Sequence, residues 1–257
     1  MTQSHSYRTP DGLPVDIAIF TIASLAKPGN YKMLAERRLR VLLVRRSRQS
    51  EAYPGCWALP GGFSDENETL TEAAYRELKE ETNVSGDVMI EQIKTVYYPG
   101  RDPRGWMPSV VYCALVKEQY LLNLAADTDA DEVGLFDIEE ALGMKLAFDH
   151  NDILLDALAH VRKKMMTTTI AKEFLPDRFT IRELFQVIQT VVPDFEEDIA
   201  NFKRNLLATK TRKGLIREAA DAEGRPMTTD RNSNRPARLY EFTDYEPNIS
   251  IYNSGLF

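Results

Sequence analysis

Residues 62–84, GFSDENETLTEAAYRELKEETNV, decide the fold of the first half of the chain. Thr69, with a glutamate three positions later, has the pattern of a capping box and predicts that a helix begins there. Glu77, Glu80 and Glu81 then lie on one face of that helix, where three carboxylates repel one another. The pattern fits a solvated acidic face, or carboxylates that bind Mg²⁺, which could bridge diphosphate oxygens and activate water.

This stretch resembles the Nudix box, G-x5-E-x7-R-E-U-x-E-E-x-G-U, in which U is aliphatic. The matching residues are Gly62, Glu68, Arg76, Glu77, Leu78, Glu80, Glu81 and Val84. Asn83 stands where the family has glycine, and asparagine is the next best residue for a left-handed helix end. The resemblance implies an α/β (α+β) Nudix fold, a mixed sheet between helices, which binds a nucleoside diphosphate joined to another group.

The residues that flank the box resemble the ADP-ribose pyrophosphatase branch of this family. The resemblance is carried by residues 57–63 (WALPGGF) and 99–105 (PGRDPRG). The two arginines of the second segment could hold a diphosphate by charge-assisted hydrogen bonds, or they could remain solvated. The tryptophan of the first segment could stack on adenine or pack in the core, and Arg45 could reach a phosphate or lie exposed at a strand end. The candidate ADP-ribose ligands are therefore Arg45, Trp57, Gly62, Arg101 and Arg104.

Apolar runs predict four strands around the box and one helix after it. The strands are expected at residues 15–24, 39–45, 91–98 and 109–116. An N-cap pattern at Asp149 predicts a helix from Asn151 to about Met165. The polar stretch at residues 167–177 marks a boundary, which predicts a Nudix-like ADP-ribose-binding domain at 1–170 and a winged-helix DNA-binding domain at 171–257.

The pattern changes in the second part of the chain. A capping box at Thr180 predicts a helix that ends before Pro193. Asp194 is placed to cap a second helix at residues 195–209. Two strands are expected at 214–218 and 235–242, with a turn between them at 224–234. Helix, helix, strand, loop and strand are the order of a winged helix-turn-helix domain.

The charge of the chain is unevenly distributed. The whole chain carries −7, but residues 199–240 hold ten Lys and Arg against four Asp and Glu, a net charge of +6. Such a concentrated basic segment is typical of a nucleic-acid contact, although a solvated basic face would have the same composition.

The helix expected at residues 195–209 has two different faces. Phe195, Ile199, Phe202 and Leu206 follow helical spacing and are expected to be buried. The opposite face carries arginine and asparagine, which read guanine and adenine edges in the major groove, while the basic residues around it can reach phosphates. The candidate DNA contacts are Asn201, Lys203, Arg204, Asn205, Lys210, Arg212 and Lys213, with Arg231 and Arg235 in the wing.

The second half resembles the C-terminal domain of NrtR-type regulators of NAD metabolism, and the likeness covers nearly the whole chain. It is carried by residues 179–184 (FTIREL), 201–207 (NFKRNLL) and 235–240 (RPARLY). The resemblance implies a homodimer that binds a palindromic double-stranded operator and represses NAD-biosynthesis genes, with ADP-ribose as the releasing effector. The alternative is a Mg²⁺-dependent ADP-ribose pyrophosphatase with an accessory C-terminal domain, in which Glu77, Glu80 and Glu81 would be catalytic.

The composition, with 43% hydrophobic and 28% charged residues, is that of an ordinary globular protein. No apolar run reaches the roughly 20 residues that cross a bilayer, and the N-terminus lacks the apolar core of a signal peptide. We therefore expect a soluble cytoplasmic protein without membrane contact. Cys56 and Cys113 have no paired spacing, so neither a zinc site nor a redox pair is expected.

Overall fold

The computed structural model describes residues 12–25, 30, 32–84, 86, 88–121, 130–208, 214–232 and 235–245. The chain forms two compact units, Met1–Phe20 with Arg40–Ala157, and Thr21–Leu39 with Leu158–Phe257. The domains expected at 1–170 and 171–257 stay a prediction. The compact units follow a different division, because the second unit takes in Thr21–Leu39.

Seven strands among the described residues form a mixed sheet. They are β1 (Pro14–Ser24), β2 (Arg37–Arg46), β3 (Trp57–Ala58), β4 (Gly61–Phe63), β5 (Met89–Val96), β6 (Ser109–Leu115) and β7 (Ala130–Asp137). Their order is β3-β2-β1-β6-β5, with β4 beside β1 and β7 beside β2. β1 and β6 are parallel, whereas β2 with β3, β2 with β7, β1 with β4 and β5 with β6 are antiparallel.

The four predicted strands are confirmed within about two residues at each end. The sequence did not predict β3, β4 and β7. The first two have only two and three residues, too few for a periodic pattern. β7, ADEVGLFD, contains three acidic residues and a glycine, so it lacks the apolar run that marked the other strands.

Three helices of the described residues accompany this sheet. They are α1 (Leu70–Thr82), α2 (Ile138–Gly143) and α3 (His150–Thr167), and short 3₁₀ turns lie at Glu118–Leu121 and Ile170–Phe174. The capping box at Thr69 is confirmed, because Glu72 N–H donates to Oγ1 of Thr69 at 3.2 Å and Thr69 N–H donates to Oε2 of Glu72 at 2.7 Å. Asn83 ends α1 in the left-handed region with φ of 55°, as predicted. The helix that carries the box therefore has fixed ends.

The core of the first unit lies between α1 and the sheet. Ala73, Ala74 and Leu78 of α1 are buried together with Ile17 of β1 and Tyr112 of β6. Each fully buried large apolar side chain stabilises the fold by roughly 1.5–3 kcal/mol. Glu77 of the box is buried beside this core, one helical turn after Ala73.

The described residues of the second unit form two further helices and four short strands. The elements are α4 (Ile181–Val191), α5 (Ile199–Ala208), β8 (Ile216–Glu218), β9 (Thr228–Thr229), β10 (Ala237–Arg238) and β11 (Tyr240–Phe242). β8 pairs with β11 and β9 pairs with β10, both antiparallel. The capping box that begins α4 at Thr180 is confirmed. The order of elements is that of a winged helix-turn-helix domain, as predicted.

The predicted start of α5 was wrong by four residues. Asp198 caps the helix, since its Oδ1 accepts from the N–H groups of Ala200 at 2.9 Å and Asn201 at 3.0 Å. Asp194 lies in the turn after Pro193 instead. As a consequence Ile199, which was expected to be buried, is 42% exposed at the first turn.

Of the other residues in the predicted apolar stripe, Phe195 precedes α5 and is only partly buried. Phe202 and Leu206 are buried. The rings of Phe185, Phe195 and Phe202 pack within 6.0 Å of one another, so α4 and α5 share an aromatic contact. Within the described ranges, every helix is too short or too polar to traverse a lipid bilayer.

Candidate functional site

Arg76 of α1 joins the two ends of the Nudix box. Its guanidinium donates to Glu68 at 2.6 and 3.1 Å, to Glu77 at 2.7 Å and to Glu80 at 3.0 Å. It also donates to the carbonyl of Phe63 at 2.9 Å. The hydrogen bonds with Glu68, and then those with Glu77 and Glu80, raise the pKa of Arg76. The box thereby ties the loop after β4 to the helix.

Two glycines carry the chain past the carboxylates of the box. A Cβ at Gly62 would lie 2.4 Å from Oε1 of Glu77, so a larger residue would displace that carboxylate. Gly61 has φ of +154°, a conformation that L side chains rarely adopt, and its N–H donates to Oε2 of Glu81 at 2.8 Å. Gly62 is therefore required by its close approach to α1, and Gly61 by its backbone conformation and its close approach to Val15 of β1.

The three predicted metal ligands are each engaged within the protein. Glu77 and Glu80 accept hydrogen bonds from Arg76, and Glu81 accepts one from Gly61. Burial raises the pKa of Glu77, whereas the hydrogen bond from Arg76 opposes that rise. In the part of the chain that the structure describes, no three Asp, Glu, His or Cys side chains are arranged to hold a metal ion. As they stand, these residues do not fit Mg²⁺, and the predicted metal and catalytic roles stay predictions.

A cavity of about 440 Å³ lies in the first compact unit. Its volume is within the range of pockets that bind small molecules, roughly 300–1,000 Å³. The charged and aromatic side chains along its wall are Asp16, Arg46, Phe63, Glu81, Arg104, Phe148 and His150. Gly61 and Gly62 also line it, so the Nudix box forms part of the cavity wall.

Two arginines bring positive charge to this cavity. Arg46, at the end of β2, donates through Nε to the carbonyl of Ala52 at 2.9 Å and has no carboxylate partner among the described residues. Arg104 binds both oxygens of Asp102, at 2.7 and 3.0 Å. Burial and the nearby charge of Arg104 lower the pKa of Arg46, whereas the charges of Glu81 and Asp102 raise it. A half-buried guanidinium without a carboxylate favours an anionic ligand.

Of the five predicted ligands, Gly62 and Arg104 line the cavity. Arg45 does not, because its side chain forms an ion pair with Glu132 at 3.4 Å and donates to the carbonyl of Gly55 at 3.1 Å. Its neighbour Arg46 lines the cavity instead. The proposed phosphate contact of Arg45 stays a prediction without support from its position.

Trp57 and Arg101 lie in packed surroundings. The indole of Trp57 meets the ring of Phe136 edge-on, with centroids 4.8 Å apart. The guanidinium of Arg101 is buried and donates to both oxygens of Asp149, at 3.0 and 2.7 Å, and to Asp16 at 3.2 Å. Arg101 thus supports a residue of the cavity wall, and the ligand roles of both side chains stay predictions.

Sequence reasoning did not identify Arg46, Phe148, Asp16 or His150. Arg45 and Arg46 are adjacent, and the pairing of β2 with β7 shifts register between them. The alternation of a strand therefore could not show which arginine faces the cavity. The other three belong to no motif, and only the folded chain brings them together.

Asp16 and His150 form a buried polar pair at the cavity wall. Leu59 N–H donates to Nδ1 of His150 at 2.8 Å, so Nε2 carries the proton and faces Oδ1 of Asp16 at 3.4 Å. Burial alone would raise the pKa of Asp16, but His150, Ser109 and Arg101 together lower it to about 2. Asp16 is therefore ionised in the folded protein at neutral pH and orients the histidine.

The exposed face of α5 carries predicted DNA contacts in an ordered arrangement. Arg204 and Lys203 are exposed, and Arg204 donates to the side-chain oxygen of Asn201. The Asn201 amide donates in turn to Asp198, and the Asn205 amide donates to Glu197. On the face predicted to read DNA, the two cations are therefore exposed to solvent. The two asparagine side chains donate to acidic residues that precede the helix.

Some basic residues of the segment are neutralised and others are not. Arg217 pairs with Glu241 at 2.7 Å, Arg225 with Asp221 at 2.8 Å, and Arg238 with Glu218. By contrast, the described part of the chain offers no carboxylate partner to Lys203, Arg204, Arg231 or Arg235. The unpaired cations are the predicted DNA contacts. Lys210, Arg212 and Lys213 lie outside the described residues.

A buried glutamate holds the predicted wing loop. Asn232 has φ of 58°, and its side-chain amide donates to Oε1 of Glu183 at 2.9 Å. The other oxygen of Glu183 accepts from Thr180 at the start of α4, at 2.8 Å from its N–H and 3.0 Å from its hydroxyl. One carboxylate therefore joins the loop that carries Arg231 to the start of α4.

Comparison with known families agrees with this architecture. Residues 31–157 match the NUDIX domain, and residues 167–249 match the AraR C-terminal winged HTH domain. The protein is thus a Nudix domain joined to a winged helix-turn-helix domain, and the predicted fold class is confirmed.

Two proteins are similar to the chain over almost its whole length. It is 31% identical over 255 residues to the ADPR responsive transcriptional repressor NtrR of Acinetobacter baylyi, covering 96% of this chain and 88% of that protein. The crystal structure of Shewanella oneidensis NrtR complexed with a 27mer DNA matches with a TM-score of 0.67 and 29% identity, covering 90% of this chain and 93% of that one. The chain belongs to the family of the ADPR responsive repressor NtrR, as the sequence resemblance predicted.

Part of the chain is also similar to an enzyme. Over 124 residues it is 39% identical to the ADP-ribose pyrophosphatase of Methanocaldococcus jannaschii, covering 48% of this chain and 68% of that protein. The similarity covers about half of the chain, so it does not bear on the whole protein.

We expect the free energy of unfolding to depend on Asp16 in acid. Because the folded pKa is about 2 and the ordinary value is 3.8, this carboxylate stabilises the fold above pH 4 by about 2 kcal/mol. That contribution is lost as the pH falls from about 4 to about 2. Urea unfolding of wild type and Asp16→Asn across this range should show a flatter acid limb for the variant. Parallel curves of unfolding free energy against pH would contradict the lowered pKa of Asp16. The control is Asp156→Asn, which removes the carboxylate of an exposed ion pair with Lys94.

We also expect Asn232→Gly to loosen the wing. Glycine keeps the left-handed backbone, so the variant removes only the hydrogen bond to Glu183. Amide hydrogen exchange at Arg231 should accelerate about tenfold, since a hydrogen bond to a charged acceptor contributes about 1.5–3 kcal/mol. Glu183→Gln should accelerate the same exchange, because glutamine has one acceptor oxygen and cannot accept from both Thr180 and Asn232. Unaltered exchange in Asn232→Gly would show that the bond does not hold the loop.

Proposed function

We propose that this protein is a transcriptional repressor of NAD-metabolism genes, which binds operator DNA and is released by ADP-ribose. The observation that carries the proposal is that its likeness to an ADPR responsive repressor runs through both the Nudix and the winged-helix parts. A simple hydrolase has no use for the second part. A repressor of this kind would act in the cytoplasm, the compartment expected from the sequence.

The cavity of the first unit supports ADP-ribose as the effector. The ligand carries a diphosphate between two sugars, and Arg46 and Arg104 can bind its phosphate oxygens by charge-assisted hydrogen bonds. Gly62 allows the chain to pass close to the box, and the rings of Phe63 and Phe148 offer apolar surface for the remainder of the ligand. In this proposal Arg46 takes the role that the sequence assigned to Arg45.

The unpaired cations of the second unit support double-stranded DNA as the partner. Arg204, held by Asn201, is placed to read a base edge in the major groove, while Lys203 and Asn205 flank it. Arg231 and Arg235 would contact the backbone from the wing. We include Lys210, Arg212 and Lys213 as phosphate contacts on their sequence alone.

The proposal includes a homodimer on a palindromic operator. Two-fold symmetry of the protein would place two α5 helices in successive major grooves, about one helical turn apart. ADP-ribose can release the DNA only if it binds the free arrangement more tightly than the DNA-bound one. A coupling of 1–3 kcal/mol, about 5- to 150-fold in affinity, is usual for such effectors.

Hydrolysis of ADP-ribose is the second candidate, favoured by the filled positions of the box and by the similarity of part of the chain to a pyrophosphatase. We rank it below regulation because Glu77, Glu80 and Glu81 are engaged by Arg76 and Gly61. Fast release of AMP that needs Mg²⁺ and is lost in Glu81→Gln would reverse this ranking.

The proposal is tested by fluorescence anisotropy with a duplex that the protein selects from a random library. We expect ADP-ribose to weaken binding of the wild type by tenfold or more, within the usual range of coupling. Arg204→Ala should lose specific binding by about 5- to 150-fold, the loss of one bidentate base contact. Its fold should be intact, because the side chain is exposed.

The matched control is Arg225→Ala, which removes an exposed arginine already paired with Asp221 and Glu223. It should bind the duplex within about twofold of wild type, because a neutralised side chain has little net charge to offer a phosphate. If ADP-ribose leaves the affinity unaltered, the effector role is wrong. If Arg204→Ala and Arg225→Ala behave alike, the face assigned to DNA is wrong.

A further inference from the structure

Phe148 has a backbone conformation that large side chains seldom adopt. Its φ is +51°, in the left-handed region, where a bulky residue without glycine's freedom is an outlier. Its neighbours fix this conformation. Ala147 N–H donates to the carbonyl of Trp57 at 2.8 Å, and Asp149 is held by Arg101. Strain of this kind persists where the surrounding structure imposes it, and it concentrates at ligand sites.

The ring of Phe148 lies against two cations. The guanidinium carbon of Arg46 is 5.0 Å from the ring centroid, and that of Arg104 is 5.6 Å from it. Both distances are within the roughly 6 Å over which an aromatic face attracts a cation. The rings of Tyr53, at 4.7 Å, and His150, at 5.2 Å, pack against the same ring and hold it in place.

The two guanidiniums repel each other. Both guanidinium carbons lie within 5.6 Å of the centroid of the same ring. Burial and then the charge of Arg104 lower the pKa of Arg46, whereas the charges of Glu81 and Asp102 raise it. Asp102 binds Arg104, but the described residues include no carboxylate that binds Arg46. Asp102 attracts both guanidiniums, since it binds Arg104 and its charge raises the pKa of Arg46. The quadrupole of an aromatic ring adds a second attraction to both cations. The ring of Phe148 is placed to act in this way.

We propose that Phe148 is a positioning residue that holds Arg46 and Arg104 as a two-cation clamp, and so makes the cavity select ligands with two adjacent phosphate groups over ligands with one. The clamp deepens the proposed function, on which it rests for the natural ligand. Each cation can bind one phosphate of a diphosphate, whereas a monophosphate engages one cation and leaves the repulsion of the other unrelieved.

The experiment is isothermal titration calorimetry of the full chain with inorganic pyrophosphate, inorganic phosphate, ADP-ribose and AMP. Phe148→Leu keeps an apolar side chain and the same backbone cost but removes the aromatic face. It should bind pyrophosphate and ADP-ribose about tenfold more weakly, and phosphate and AMP within about threefold of wild type. Phe148→Tyr, which keeps the ring, should restore the wild-type preference.

Phe136→Leu is the matched control, because this ring packs against Trp57 and does not line the cavity. It should leave the preference for diphosphate unaltered. Phe148→Met is a second non-aromatic variant, so the test does not depend on the folding of one protein, and circular dichroism checks each variant.

The outcomes separate this proposal from the proposed function. If the wild type binds pyrophosphate but not ADP-ribose, the effector role of ADP-ribose is wrong. The clamp is then tested by the pyrophosphate and phosphate measurements alone. Wild type that does not prefer pyrophosphate over phosphate would overturn the clamp. Equal losses for phosphate and pyrophosphate in Phe148→Leu and Phe148→Met, or no loss in either, would also overturn it.

Discussion

The guanidinium of Arg76 is the contact on which the arrangement of the first unit depends. It binds Glu68 and the carbonyl of Phe63 on one side, and Glu77 and Glu80 of α1 on the other. Hydrogen bonds between charged groups are shorter and stronger than neutral ones, and a planar guanidinium fixes their directions. With loop and helix joined in this way, the two glycines of β4 pass close to the carboxylates and complete one wall of the cavity.

This arrangement separates the acidic and basic parts of the pocket. The box carboxylates accept hydrogen bonds from Arg76 and Gly61, which join α1 to the cavity wall. The positive charge comes from outside the box, from Arg46 at the end of β2 and Arg104 in the loop before β6. In our proposal the pocket binds an anion through these two side chains, which lie outside the Nudix box. In our proposal the energy of that binding is used to shift the protein away from DNA, not to break a bond.

The sequence predicted the helix ends, which depend on residues only a few positions apart. Both capping boxes, at Thr69 and Thr180, and the left-handed Asn83 follow from local spacing and are confirmed. The cavity was harder to predict, because the choice between Arg45 and Arg46 depends on a register shift with a strand about 85 residues later. The periodicity of apolar residues along the chain does not indicate such long-range strand pairing.

The prediction of where α5 begins was wrong for a different reason. Asp194 and Asp198 both precede a helical pattern, and each is an acceptable N-cap. Only the turn at Pro193 and the bonds from Ala200 and Asn201 to the second aspartate decide between them. The prediction of which face of α5 is buried was less sensitive to this error, since Phe202 and Leu206 are buried as expected.

The central claim, that occupancy of the Nudix cavity and binding of DNA oppose each other, is tested most directly by reciprocity. Calorimetry should measure the affinity of ADP-ribose for the free protein and for the protein saturated with its duplex. The account predicts that DNA weakens ADP-ribose binding by the same factor by which ADP-ribose weakens DNA binding, as linkage requires. An ADP-ribose affinity that is the same with and without bound DNA would contradict it.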